Sequence, residues 1–150
     1  MANTQEELRA RVPRLDYSLG RFQEGLQALE GYSAKHLVHG DYYPAHVMMD
    51  EHSKVVGLLD FSRQTVIGDP GIDRGEALSS FEDPQRPEGS AEHGEYARGL
   101  VIERYGQEAL RNIRTYQLYY ALIFSDCAPF DPVTYDWCLR ILNGEIWSRE

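Results

Sequence analysis

Between Leu37 and Phe61 the chain reads LVHGDYYPAHVMMDEHSKVVGLLDF, and its apolar positions gather into short runs: Leu37-Val38, Val47-Met48-Met49 and Val55-Val56-Gly57-Leu58-Leu59. Runs this short, separated by polar residues, predict small strands joined by loops and tight turns. Asp50-Glu51-His52-Ser53-Lys54 has turn composition, so the second and third runs should form a hairpin that brings Leu59 back beside Val47. On the amino-terminal side the period changes. Leu15, Leu19, Phe22, Leu26 and Leu29 recur at intervals of four and three, which predicts a helix with one apolar stripe facing the core, stopped near Gly31. Ahead of it, Thr4 and Glu7 have capping-box spacing, and Pro13 interrupts the short helix they open.

Downstream, Phe61 to Ile67 reads as a loop and Gly68-Asp69-Pro70-Gly71 as a turn leading into a helix near Ile72 to Leu78. Asp69 is placed to cap that helix and Asp73 to complement its dipole. Phe81 to Ala91 has two prolines and no period, and reads as a surface connection, a mobile edge for an acceptor site. Three helices should follow, Glu92 to Tyr105, Gln107 to Ser125 and Pro132 to Ser148. Tyr116, Tyr119, Tyr120 and Phe124 fall at helical spacing, forming an aromatic ridge against which Trp137 and Ile141 can pack. The fold class is α+β, mostly helical, with a small β-hairpin.

Composition narrows the partners. A chain of 150 residues is most simply one domain, 1–150, and can bury a core of its own. Its formal charge of -9, with Lys35 and Lys54 the only lysines, argues against nucleic acid and favours cationic small molecules; a merely solvated acidic surface is the blander account. Cys127 and Cys138 are too few for a disulfide scaffold and suit small core residues. No run is long and apolar enough to serve as a signal or a membrane span, so a reducing cytoplasm and no membrane partner are expected. No internal repeat occurs.

The chemistry sits at the strand ends. His39, Asp41 and His46 occupy the first connection, and Asp60 closes the last strand, so the hairpin returns both groups to one place. A carboxylate in the first loop, a metal-ligand type five residues on and a second carboxylate nineteen residues on suit phosphoryl transfer. Asp41 is the candidate catalytic base, able to orient an attacking hydroxyl and accept its proton. Asp60 is the candidate ligand for Mg2+, which takes hard oxygen donors. Taken singly, each has an ordinary account as a turn aspartate or loop cap.

His39-Gly40-Asp41-Tyr42-Tyr43-Pro44-Ala45-His46, then Leu59-Asp60-Phe61-Ser62, then Gly68-Asp69-Pro70-Gly71-Ile72-Asp73, resembles the catalytic core of the aminoglycoside phosphotransferase family, small-molecule kinases whose motifs parallel H-x-D-x-x-x-x-N and D-F-G of protein kinases. Histidine where most of that family has asparagine makes the stretch most similar to macrolide phosphotransferases. The resemblance implies a kinase-like fold and transfer of the γ-phosphate of ATP or GTP to a hydroxyl of an antibiotic-like acceptor. It implies His46 and Asp60 as the cofactor-binding and metal residues, Asp69 and Asp73 as braces for the catalytic loop, and His39 as a structural support behind it. Imidazole is softer than an amide oxygen, so His46 either ligates the ion through its unprotonated nitrogen or contacts phosphate or Asp41. Asp126, Asp131, Asp136 and Glu145 are the nearest sequence candidates for an acceptor ammonium, with simple solvation as the alternative. His36, His52 and His93 fit no such pattern.

The same resemblance implies a carboxy-terminal lobe alone. No G-x-G-x-x-G or Walker-type run occurs, and Lys35 is the only lysine before the loop, so the amino-terminal nucleotide-binding lobe is expected to be absent, nucleotide binding and turnover to be weak, and an apolar face to be left for a docking lobe or for self-association. Two other functions compete. His39, Asp41, His46 and Asp60 could form the mixed nitrogen and oxygen cluster of a metal-dependent phosphoesterase, or the chain could be a non-catalytic module that binds a ligand or docks on a partner.

Overall fold

Local sequence sets most of the element ends. In the computed structural model, which describes residues 4–31 and 35–145 (the side chains of 4 and 5 excepted), α1 (Thr4–Arg11) stops just short of Pro13 and α2 (Leu15–Leu29) stops just short of Gly31, whose φ is 87°. Then come β1 (His36–Val38), a 3-10 turn (Pro44–His46), β2 (Val47–Met49), β3 (Val55–Leu58), β4 (Val66–Gly68), α3 (Gly71–Glu82), α4 (Ala91–Tyr105), α5 (Gln107–Ile123) and α6 (Pro132–Leu142). The content is mostly helical with a small antiparallel β part, an α+β arrangement. The capping box expected at Thr4 lies outside the described side chains. The chain divides into two compact units, Met1–Glu30 with Arg114–Glu150, and Gly31–Ile113.

In the first unit the apolar side chains of Val12, Leu15, Leu118, Ala121, Trp137, Cys138, Ile141 and Leu142 are buried. The stripe on α2 is covered at Leu15 but loses its cover at Leu26, which is exposed, so the expected core face is incomplete. Ser18 donates its hydroxyl to the Leu142 carbonyl at 2.7 Å, tying α2 to the end of α6. Gly25 faces Thr115 so closely that a Cβ would overlap its side chain, and glycine therefore sets the approach of α2 to α5. On α5 the Tyr120 ring lies parallel to Phe124 at 6.1 Å and edge-on to Tyr119 at 5.6 Å, so three of the four expected ridge residues make ring contacts, although Tyr119 itself is exposed. Asp131 caps α6 by accepting from the Thr134 amide at 3.0 Å. That helix ends at Leu142 rather than Ser148, because Gly144 turns the chain with φ 90°; residues 146–148 of the expected helix lie outside the described residues.

The second unit carries two separate two-stranded antiparallel sheets, β1 with β4 and β2 with β3. The expected hairpin is present, with Val47 opposite Leu58 and an irregular step that skips Val56. Its turn is built by Asp50, whose Oδ1 accepts from the amides of His52 and Lys54 at 2.9 and 3.0 Å. The segment Phe61 to Ile67, expected as loop throughout, contains the start of β4, which pairs Val66 with Val38 and Ile67 with Leu37. Alternation along these strands buries Val38 completely and leaves Leu37 and Ile67, opposite one another, 62% and 64% exposed.

Helix α3 runs four residues past the expected Leu78, and packs on α4 and the start of α5 around Leu78, Leu110 and Ile113, with Ala97 and Val101 alongside. Its last residue, Glu82, accepts from Arg98 at 2.6 Å in a largely buried ion pair. The connection after α3 is therefore shorter and better anchored than the open surface loop expected. Asp83 is buried and holds the Gln85 amide at 3.1 Å, and Ser90 caps α4 through the His93 amide at 3.0 Å.

Candidate functional site

The site grows out of the end of β1. Val38 anchors the strand in the interior and His39, 2% exposed, follows it inward. Its Nε2 lies 2.7 Å from the Leu59 carbonyl, which can only accept, so Nε2 carries the proton and Nδ1 is left to accept from the Asp41 amide at 3.3 Å. Nε2 thus ties the loop to the end of the hairpin, and Nδ1 braces the loop itself. The His39 carbonyl accepts from the Thr65 hydroxyl at 3.0 Å, and the ring of Phe61 packs 4.6 Å from the His39 ring.

Helix α3 supports the loop from the other side. The two oxygens of Asp73 accept from the amides of His39 and Gly40, each at 2.9 Å, and Glu76 accepts from the Tyr42 amide at 2.6 Å. Residues three apart on a helix share a face, so α3 presents one carboxylate edge to three amides of the four-residue stretch from 39 to 42. Gly40 has φ 82°, and a Cβ there would run into the Gln64 backbone, so both conformation and space require glycine. Asp69 accepts from the Gly71 amide at 2.7 Å and shapes the turn into α3; the N-cap position itself is Pro70, which has no side-chain cap.

These constraints place three side chains together. One ligand-type atom from each of Asp41, His46 and Asp60 lies within 4.8 Å of the others. The hairpin provides the convergence, because the Leu59 amide donates to the His46 carbonyl at 2.9 Å, fixing the residue before Asp60 against the end of the 3-10 turn. His46 Nδ1 lies 2.8 Å from the Asp41 carbonyl and 3.9 Å from the Asp41 carboxylate, so this nitrogen holds the proton of the neutral ring. The opposite nitrogen, Nε2, faces Asp60 Oδ2 at 3.6 Å. Tyr43 packs 4.3 Å from the His46 ring and limits its rotation. Side-chain exposure rises across the group, from 13% at His46 through 37% at Asp41 to 68% at Asp60, so the carboxylates open to solvent from a half-buried imidazole. Asp60 adopts φ 62°, a left-handed conformation uncommon outside glycine.

One pair of donors, His46 and Asp60, has a spacing that suits a divalent cation. Two ligands about 2.1 Å from one ion stand roughly 3.0 Å apart at a right angle and 4.2 Å apart when opposed, and the separation of His46 Nε2 from Asp60 falls between these limits. His39 cannot join them, since both its nitrogens are bonded to backbone, so the four-residue cluster of a phosphoesterase does not assemble. His36, His52 and His93 are not part of the group. Of the acidic residues considered for an acceptor ammonium, Asp131 caps α6, while Asp136 and Glu145 pair with Arg140 at 3.1 and 3.3 Å. Glu76, Thr65 and Tyr43 were not anticipated. Only Glu76 left a trace in the sequence, its three-residue spacing from Asp73.

A family model described as the phosphotransferase enzyme family, APH, matches residues 1–113. No curated protein and no solved structure gives a significant match to the chain.

Proposed function

Because the chain belongs to the phosphotransferase enzyme family, we propose that the convergence of Asp41, His46 and Asp60 is the centre at which the γ-phosphate of ATP or GTP passes to a hydroxyl of a small molecule. Asp41 is open enough to meet a substrate and is held rigidly through its neighbours' amides. Its carboxylate orients the acceptor hydroxyl and takes its proton as the oxygen attacks. The new bond joins that oxygen to the γ-phosphorus. The bond from the γ-phosphorus to the β,γ-bridging oxygen breaks, its electron pair leaving with the nucleoside diphosphate. Asp60 and His46 would hold the divalent ion, with magnesium the one a nucleotide carries. That ion, when bound, neutralises phosphate charge that would otherwise repel the two carboxylates.

The net charge of -9 favours a cationic acceptor, and an antibiotic bearing an amino sugar, of macrolide or aminoglycoside type, has both the charge and the hydroxyls. The single observation behind this reading is the shared position of the two carboxylates and His46. Transfer of labelled γ-phosphate from ATP and from GTP to a panel of macrolides and aminoglycosides tests it. Asp41→Asn should lower the rate by about 10²- to 10⁴-fold without changing the fold by circular dichroism. Undiminished transfer by Asp41→Asn, or transfer to water and to no hydroxyl acceptor, overturns it.

A further inference from the structure

We propose that Glu76 is a positioning residue for Asp41: together with His46 it clamps the peptide between Asp41 and Tyr42, and so sets the direction of the base. The inference rests on the reading of Asp41 as the group that takes the acceptor's proton, and deepens it. Its basis is one contact on each side of a single peptide unit. The Tyr42 amide donates to Glu76 at 2.6 Å, and the Asp41 carbonyl of the same unit accepts from His46 Nδ1 at 2.8 Å. In a planar trans peptide the N–H and the C=O point in opposite directions, so the two partners hold it from opposite sides and the plane cannot turn without losing both bonds. The plane fixes ψ of Asp41. The preceding unit is held at its own N–H, where the Asp41 amide donates to His39 Nδ1 at 3.3 Å, so both soft torsions of the base are tied down.

The two α3 carboxylates divide the work. Asp73 anchors the amides of His39 and Gly40, ahead of the base, and Glu76 anchors the amide of Tyr42, just behind it, so Asp41 sits between two fixed points. Its own carboxylate is 37% exposed, so surrounding side chains confine it little and the backbone beneath decides where it points. An ionised acceptor makes a shorter, stronger bond to an amide than a neutral one does. It also polarises the peptide, which makes the carbonyl at the other end a better acceptor for His46 Nδ1. The effect of Glu76 therefore crosses the loop to His46, although the two side chains belong to α3 and to the 3-10 turn, thirty residues apart in sequence. Loss of Glu76 would leave the loop held from α3 ahead of Asp41 and released behind it, and a displacement of the base of about 1 Å is enough to slow a reaction about 100-fold.

The test compares Glu76→Ala and Glu76→Gln with Leu110→Ala, a change in the apolar core beside α3 and away from the loop. In transfer assays well below the unfolding temperature, Glu76→Ala should lower kcat by about 10- to 100-fold, with KM for nucleotide and acceptor within about threefold of wild type. Glu76→Gln, whose side-chain oxygen still accepts from Tyr42 without the charge, should lose only about two- to fivefold in kcat. Leu110→Ala should lower stability and keep the wild-type kcat. A readout independent of turnover comes from nuclear magnetic resonance of the intact chain without nucleotide. The Tyr42 amide proton should lie downfield in wild type and move upfield in Glu76→Ala, and the His46 ring nitrogen signals should shift with it. Wild-type kcat in a folded Glu76→Ala overturns the proposal, as does an equal loss of kcat in Leu110→Ala. Should Glu76→Ala fail to fold, Glu76→Gln decides, and an unchanged kcat there overturns the proposal. Shifted His46 signals without phosphoryl transfer by any form sustain the clamp and defeat the functional reading; transfer by wild type with unshifted His46 signals does the reverse.

Discussion

At the scale of single residues, the site depends on backbone conformations that few side chains tolerate. Gly40 combines φ 82° with contact against Gln64, so Gly40→Ala meets both left-handed strain and a steric clash. The expected cost is about 1 to 3 kcal/mol in chemical denaturation, together with weaker metal binding as the loop shifts. Wild-type stability in that variant would show that the loop can relax around a Cβ. Cys127 offers a different single-residue test. Burial pushes its thiol up, and the Asp131 and Asp126 carboxylates add to the shift against an opposing backbone hydrogen bond. A raised value means less thiolate near neutral pH, and thiolate is the nucleophile. Cys127 should therefore react with iodoacetamide more slowly than a free small thiol, with its rate still climbing at pH values where the small thiol has levelled off. Cys138, fully buried, should stay unmodified until the protein unfolds.

At the scale of elements, α3 is the part that turns a loop into a site. Asp73 and Glu76 hold the amides of His39, Gly40 and Tyr42. Hydrogen bonds to a charged acceptor contribute about 1.5 to 3 kcal/mol each, so Asp73→Ala, which releases two of them, should cost more than Glu76→Ala, which releases one. Hydrogen exchange should localise the effects, with the amides of 39 and 40 losing protection in the first variant and that of 42 in the second. Equal, uniform loss across the chain in both would mean that α3 acts only through global stability. The hairpin was readable in advance because its turn residues and both strands lie within a dozen positions. Strand β4 was not, because Val66-Ile67 is too short to declare a strand and its partner β1 lies about thirty residues earlier. Pairing across such a gap is decided by where the chain returns, and the stretch itself does not record it.

At the scale of the whole molecule, apolar side chains are distributed unequally. Leu118, Cys138 and Leu142 are completely enclosed, and Leu118→Ala should cost about 2 to 5 kcal/mol by loss of transfer free energy and creation of a cavity. On the strands, by contrast, Leu37, Met48, Met49, Val55, Val56, Val66 and Ile67 are all exposed. Exposed apolar side chains in this number predict uptake of a hydrophobic fluorescent dye by the native protein and concentration-dependent association in sedimentation velocity. A strictly monomeric species with no dye uptake would contradict that. Among the described residues no helix is long and apolar enough to cross a membrane.

The amino-acid sequence determined most of the helices, the hairpin and the residue types at the candidate site, because period, turn composition and the types of side chain are local properties. It singled out Asp41, His46 and Asp60 through their spacing together with the resemblance to phosphotransferase motifs. Tertiary structure decided what those groups face. It set the protonated nitrogen of His39 by the Leu59 carbonyl it meets, and recruited Glu76 from a helix that reads as ordinary. These outcomes depend on distances between segments twenty to thirty-five residues apart, and such distances are fixed only when the whole unit folds.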